Sequence, residues 1–306
     1  MFFYVFCLDA VSMKATFTFV GAAHLDQTIG LIGAVHMHRS NPSATSVTPG
    51  GVAANIARYI AAHHVVKGHS PHFIGVAASG QTSIVERDFA AWNIRAHLVE
   101  KDAGPASYTA VIDQTGDLII GAADMALYDL VTPDDIVDRL PSTGIVIIDA
   151  NFPAEVLVAI ADALPMAVSL YAGATSIKKV LRLKSILSRL DGLVLNWAEA
   201  IALTGGVDPS AMALTVTSQM RPHGFALISD GDKEATLAQS GMVVSRTPPS
   251  IQPTNVNGAG DVMAAALFAM AGDGARKAGS SKEALQQLLD DAIIAGAAFA
   301  AGESNV

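Results

Sequence analysis

The stretch TNVNGAGDVMAAALFAM (254–270) decides how this chain is read. A polar run meets Gly258-Ala259-Gly260, then Asp261, then an apolar helix-forming segment. The first N–H groups of a helix have no intrahelical partner, and the helix dipole favours an anion there. Small side chains at 258–260 let a phosphate approach the backbone closely. Asp261 falls in the first turn beside that anion hole. A carboxylate there can take the proton from a hydroxyl as it attacks phosphorus. It can equally do no more than cap the helix, and spacing alone leaves both readings open.

Outward from this segment, strand-like runs alternate with helical ones. ATFTFVGAA (15–23), PHFIGVAA (71–78), GIVIIDAN (144–151), DGLVLN (191–196) and FALISDG (225–231) read as strands. GGVAANIARYIAAHH (50–64), SIVERDFAAWN (83–93), WAEAIALTG (197–205) and the run after Asp261 read as helices. Such alternation predicts an α/β fold with a mostly parallel central sheet covered on both faces. Two stretches break the rhythm. Residues 27–48 contain no helical pattern, and residues 95–123 hold extended runs with a turn at QTGD (114–117). Both are expected to form β insertions, serving as a small lid or a dimer surface. Met13 precedes Lys14 and the first clear strand, so residues 1–12 are expected to be an N-terminal extension and 13–306 a single domain.

The chain has 306 residues, 51% hydrophobic and 15% charged, with a formal net charge of −9. That excludes intrinsic disorder and argues against nucleic-acid binding, which needs a basic face. The single cysteine, Cys7, excludes an internal disulfide framework and fits a reducing, cytoplasmic location. Apolar runs such as AAALFAMAG (264–272) fall short of the roughly 20 residues that span a bilayer. His63, His64, His69 and His72, with His36 and His38, fit no metal-ligand spacing and read as exposed loop residues. A dinucleotide-binding oxidoreductase is disfavoured, because no Gly-x-Gly-x-x-Gly follows the first strand.

GAGD (258–261) together with GGVAANIA (50–57) resembles the two signatures of the ribokinase-like (PfkB) carbohydrate and nucleoside kinases. GAAHLD (21–26), NWAE (196–199) and ISDGDKEAT (228–236) resemble further motifs of that family, in its order. Within the family, SNPSATSVTPGGVAANIA (40–57), SYTAVIDQTGDLIIGAADM (107–125) and IIDANFPAEVL (147–157) are similar to pseudouridine kinases. The resemblance implies a ribokinase-like three-layer fold with a small β lid. It also implies an ATP-dependent kinase acting on the 5′-hydroxyl of a nucleoside, pseudouridine first. The alternatives are a kinase for ribose, another sugar or another nucleoside, and a non-catalytic binding protein on the same scaffold.

Roles follow residue by residue as what the resemblance implies. Asp261 is the catalytic base, with Gly258, Ala259 and Gly260 as the anion hole. Asp26 accepts hydrogen bonds from ribose hydroxyls, Gly50 and Gly51 let backbone approach the sugar, and Asn55 adds a side-chain contact. Asn196 and Glu199 organise Mg²⁺ and the triphosphate, Glu199 through water, and Ser229 and Gly231 line the nucleotide site. Base recognition falls to Asn41, Asp124 and Asn151, with Ser40, Tyr108 and Thr109 also on the lid. A homodimer through the lid and activation by K⁺ are further implications. Each residue keeps a plainer alternative. Asp26 can be a turn residue, Asn55 can face water, the lid residues can be surface polarity, and Asn-x-x-Glu is also a capping box. Glu234 stands where the family has a second glycine, Ser169-Leu170 where it commonly has Asp-Pro, and Asn255 where ribokinases have Asp.

Overall fold

The computed structural model describes residues 16–65, 69–116, 118–254, 257–272 and 281–303. The expectations for residues 1–12 and for Asn255 lie outside the described residues. The chain opens with β1 (Phe17–Val20) and leaves the body for the hairpin β2 (His24–Leu31) and β3 (Ser43–Gly50). It returns through α1 (Val52–His63), β4 (His72–Ala78), α2 (Thr82–Ala91) and β5 (Arg95–Lys101). A second hairpin, β6 (Ser107–Ile112) and β7 (Leu118–Asp124), is followed by α3 (Pro133–Ile136) and β8 (Ile145–Asp149). Then come α4 (Ala154–Ala163), β9 (Ser169–Gly173), a 3-10 stretch over Lys179–Arg189 and β10 (Gly192–Asn196). α5 (Trp197–Thr204), α6 (Pro209–Thr217), β11 (Phe225–Ser229), β12 (Ala235–Gln239) and β13 (Met242–Arg246) precede the closing helices α7 (Ala259–Gly272) and α8 (Lys282–Ala300).

Nine strands form one sheet in the order β13-β12-β11-β10-β9-β8-β1-β4-β5. It is parallel from β11 through β5, with β12 and β13 added antiparallel at one edge. Strand β8 explains the layering. Its sequence IVIID is wholly buried, and its pleat sends Val146 and Ile148 to one face, Ile145 and Ile147 to the other. On the first face lie Leu157 and Ile160 of α4, Leu203 of α5 and Val216 of α6. On the second lie Ile56 and Ile60 of α1, Phe268 of α7 and Leu289 of α8. Helix α7 is apolar nearly all round because it is buried nearly all round. Gly296 of α8 lets it come close: a Cβ there would sit 3.1 Å from the Ala259 carbonyl oxygen.

The small sheet has the order β3-β2-β6-β7, and β2 and β6 pair in parallel. Register puts Thr48, Asp26, Tyr108 and Ala123 side by side on one face. The opposite face carries Ile29, Val47, Val111 and Ile120. One insertion boundary is corrected. Residues 95–101 are not in the small sheet; they form β5, paired in parallel with β4 at the edge of the large one. A half-buried alternating run reads alike in either sheet.

The carboxyl ends of β1, β8, β10 and β11 share one edge of the large sheet. Strand order reverses between β8 and β1, since the chain builds β4 and β5 on one side and β8 to β11 on the other. Open α/β sheets bind ligands in the crevice at such a point.

Candidate active site

Helices α1 and α7 pack so that Asn55 Nδ2 donates to Asp261 Oδ2 at 2.7 Å. Gly258 precedes α7 with φ +92°, a backbone state that favours glycine. A Cβ on Gly260 would meet nothing within 4 Å, so open space adjoins the helix start. Burial pushes the Asp261 carboxyl up to about 7, and the charges of Asp149, Glu199 and Asp26 push the same way. The hydrogen bond from Asn55 opposes them. A carboxylate poised near neutral pH suits a general base. Asn55 was expected to contact the sugar; its amide nitrogen instead donates to Asp261.

Asp149, at the end of β8, was assigned no role in the sequence, yet it ties the crevice together. It is fully buried. Its Oδ2 accepts from the Ala22 N–H at 3.0 Å and the Ala53 N–H at 3.2 Å, and its Oδ1 from the Asn151 N–H at 2.9 Å. One carboxylate thus joins the end of β1, the start of α1 and the turn after β8. Burial raises its pKa against those three bonds. Gly21 leaves it room: a Cβ there would lie 2.6 Å from its carboxyl carbon.

Asp26 projects from β2 at the mouth of the crevice. His24 Nε2 lies 3.1 Å from Asp26 Oδ1, and that oxygen is buried against the ring. His24 Nδ1 is 3.3 Å from the Tyr128 hydroxyl, which donates to the Ala23 carbonyl at 2.9 Å. Gly50 makes way for the carboxylate, because a Cβ there would come within 2.2 Å of Asp26 Oδ2. Gly51 holds φ +103°, and its Cβ would run 2.2 Å from the Ala22 carbonyl oxygen. The two glycines therefore serve Asp26 and the β1–α1 approach.

On the other side of the edge, Asn196 Oδ1 accepts from the Glu199 N–H at 2.9 Å, and Glu199 Oε2 accepts from the Asn196 N–H at 2.8 Å. The capping box is thus realised. Glu199 is also buried, which raises its pKa. Ser229 pairs with Asn196 across β10 and β11, and Gly231 follows with φ +60° in an exposed turn. Glu234 is exposed after that turn. Ser169 and Leu170 open β9 beside Ile145 and Val146, at the amino end of the sheet. That departure from the family pattern is therefore remote from the crevice.

The residues expected to read the base are not gathered. Asn41 is bound within its own loop, accepting from the His36 N–H at 2.8 Å and donating to the carbonyls of His36 and Arg39. Asp124 aligns with Leu25, and Thr109 with Gln27, both on the pleat opposite Asp26; Tyr108 aligns with Asp26 itself. Asn151 is buried and accepts from Lys179 Nζ at 2.7 Å, while its carbonyl accepts from Arg182 at 2.6 Å. Lys179 and Arg182 were missed; only the nearby run of basic residues in SIKKVLRLK (176–184) hints at them. Two histidines also differ from expectation. His64 is half-buried beside Tyr59, with its pKa pushed down to about 4, and His72 stacks on His97 at 5.3 Å.

A model of the pfkB family carbohydrate kinases matches residues 23–301. The pseudouridine kinase of Escherichia coli strain K12 is 25% identical over 269 residues, 83% of each chain. A carbohydrate kinase from Agrobacterium tumefaciens superposes with a TM-score of 0.75 at 25% identity, over 95% of this chain and 94% of its own. The ribokinase of Thermotoga maritima gives 0.75 at 15% identity, over 94% and 93%. Arabidopsis thaliana ribokinase, solved with ribose and ATP, gives 0.74 at 17%, over 94% and 93%. A near-neutral carboxylate at a glycine-led helix start thus lies in a chain matched almost end to end, and the protein belongs to the pfkB family of carbohydrate kinases, phosphotransferases acting on a sugar or nucleoside hydroxyl.

Proposed function

We propose that the protein transfers the γ-phosphoryl group of ATP to the 5′-hydroxyl of pseudouridine. The observation that carries the kinase chemistry is Asp261, raised to about 7 at the start of α7. Asp261 takes the hydroxyl proton, the freed oxygen forms a bond to the γ-phosphorus, and the bond to the β,γ-bridging oxygen breaks, releasing ADP. The backbone N–H groups at Gly258, Ala259 and Gly260 stabilise charge on the transferring group. Asp26, whose side chain is only part-buried at the crevice, takes the ribose 2′- and 3′-hydroxyls. The choice of pseudouridine rests on the Escherichia coli relative, itself a pseudouridine kinase, and on the motifs of 40–57 and 107–125.

Asn196, Glu199, Ser229 and Gly231 form the nucleotide side. Glu199 suits Mg²⁺ held through water, because that ion keeps much of its hydration and takes the rest of its ligands from phosphate oxygens. Among the described residues no group of three or more His, Cys, Asp or Glu could cage a metal, so a donor set of one carboxylate plus triphosphate is the fitting one. Bound Mg²⁺ neutralises phosphate charge. K⁺ is proposed as an activator on the resemblance alone. The small sheet closes over the sugar as a lid, and its outer face, with Val47 56% and Ile120 60% exposed, pairs with a second copy. A cytoplasmic location is proposed on the single cysteine, Cys7.

A second reading, a kinase for ribose, is favoured by one observation. Asn41 and Asn151 already have protein partners, which leaves few side chains free to read a base, whereas Asp26 suits any ribose diol. Phosphorylation of pseudouridine, uridine, adenosine, ribose and fructose with ATP separates the readings. We expect the highest kcat/KM with pseudouridine. A clear preference for ribose, or equal use of uridine, overturns the pseudouridine assignment and leaves the kinase intact.

A further inference from the structure

Asn55 does not meet Asp261 alone. Its side-chain oxygen accepts from Arg58 Nη1 at 2.8 Å. Arg58 is buried, and its Nε and Nη2 reach Asp88 Oδ2 of α2 at 2.8 and 2.7 Å. Its guanidinium also lies 5.6 Å from the centre of the Phe89 ring. A chain of polar contacts therefore runs from α2 through α1 to α7, and it ends on the carboxylate proposed as the base.

We propose that Arg58 and Asp88 are positioning residues for the phosphoryl-transfer step: they lock the Asn55 side-chain amide so that its N–H faces Asp261. The proposal rests on the reading of Asp261 as the base. A guanidinium can only donate, so its contact with Asn55 demands the amide oxygen, and the amide nitrogen is thereby turned to Asp261. Asp88 keeps the guanidinium in place, since a buried Arg without an anion would be costly. Two consequences follow. Oδ2 of Asp261 is occupied by the Asn55 N–H, so the other oxygen is the one left for the substrate hydroxyl. The carboxylate also gains a donor that favours its charged form against burial and against Asp149 of β8, Glu199 of α5 and Asp26 of β2, which all face it. Without Arg58 the amide is free to flip, and its oxygen would then meet the carboxylate. A tie between α1 and α2 alone would require only the Arg58–Asp88 pair; the bond to Asn55 is the additional feature.

The test uses Arg58→Met, which keeps the aliphatic volume and removes the donors, with Arg58→Lys and Asp88→Asn beside it. Turnover is measured from pH 5.5 to 9 with ATP and the better of pseudouridine and ribose. We expect the acid limb of kcat to move up by on the order of one pH unit in Arg58→Met, the effect of losing one hydrogen bond to the carboxylate. KM for both substrates should stay within about twofold, since neither Arg58 nor Asp88 is placed on a substrate. Asp88→Asn should move the limb in the same direction by less. Carboxyl ¹³C NMR of aspartate-labelled protein supplies a readout that needs no turnover: the signal lost in Asp261→Asn should titrate at higher pH in Arg58→Met, or in Asp88→Asn if the first variant does not fold. An unmoved limb and an unmoved titration overturn the proposal, even where the variants melt earlier, because Arg58 then only ties two helices. If Asp261→Asn retains turnover, the reading of Asp261 as the base fails instead, and the two failures are told apart.

Discussion

The carboxyl edge of the large sheet and the small sheet beside it are built on opposite terms. At the edge, Asp149 is wholly buried and holds three backbone N–H groups, two of them from distant parts of the chain and one from the turn that follows it. In the small sheet β7 is exposed throughout and β3 is exposed except for Gly50. The edge over-determines the positions of its charged groups, as a reaction that needs sub-ångström alignment requires. The small sheet holds its outer strands by few buried contacts, which suits the role in substrate choice proposed for it. On the proposed function, chemistry and selectivity fall in different physical environments, and substitutions in the two should fail differently.

The largest contrast is expected from Asp261→Asn, which keeps shape but removes the proton acceptor: kcat should fall by about 10²–10⁴, measured by ADP release. Relative to the native protein, the same variant should become more stable as pH rises. In the native protein Asp261 holds its proton up to about 7, whereas an unfolded aspartate loses it near pH 4. Native stability therefore falls through that window, and the asparagine variant escapes the loss. A melting midpoint that rises no more at pH 8 than at pH 5, relative to wild type, would contradict the raised pKa.

Asp149→Ala should act on the fold rather than on one step. It strands three backbone donors at about 1–3 kcal/mol each, so the thermal midpoint should drop by about 5 °C or more. An unchanged midpoint would show that the edge is less over-determined than its hydrogen bonds suggest. At the border of the two regions, Gly50→Ala would push a methyl into the Asp26 carboxylate. The expected result is a rise of about 10-fold in KM for every ribose-containing substrate, with kcat less affected. Asn41→Ala should do least, changing kcat/KM by less than about threefold, because that amide serves its own loop. A loss confined to pseudouridine would bring Asn41 back to the substrate and blur the contrast.

The sequence made the large sheet legible because parallel strands covered on both faces are short apolar runs, as in IVIID and FALIS, each followed by helical spacing. Asp261 and Asp26 were singled out through the resemblance of GAGD and GAAHLD to family motifs, since local spacing alone leaves each with a plainer reading. Asp149 was not, because its role lies in bonds to residues 127 and 96 positions away. Arg58 and Asp88 escaped for a related reason: their partnership joins two helices whose relative placement no local pattern encodes. Residues 95–101 were assigned to the wrong sheet because alternation gives a strand's faces and says nothing of its neighbours. The partners that Asn41 and Asn151 have within the chain were not legible either, because they depend on the fold of a loop and on Lys179, 28 residues away.

The parallel pairing of β2 with β6 also bears on how the molecule assembles. Antiparallel hairpins close over a few residues, but this pairing joins Asp26 to Tyr108, and between them the chain must first build α1, β4, α2 and β5. Parallel pairs need such long crossovers, and the entropy of closing them delays their formation. The two hairpins can therefore form early as separate units, while the four-stranded sheet must wait until β4 and β5 have docked beside β1 and carried the chain back. The four-stranded sheet is then the last part to be completed in folding. Pulse-labelled hydrogen exchange during refolding checks the order: protection shared across β2 and β6 that precedes protection of His72–Ala78 would reverse it.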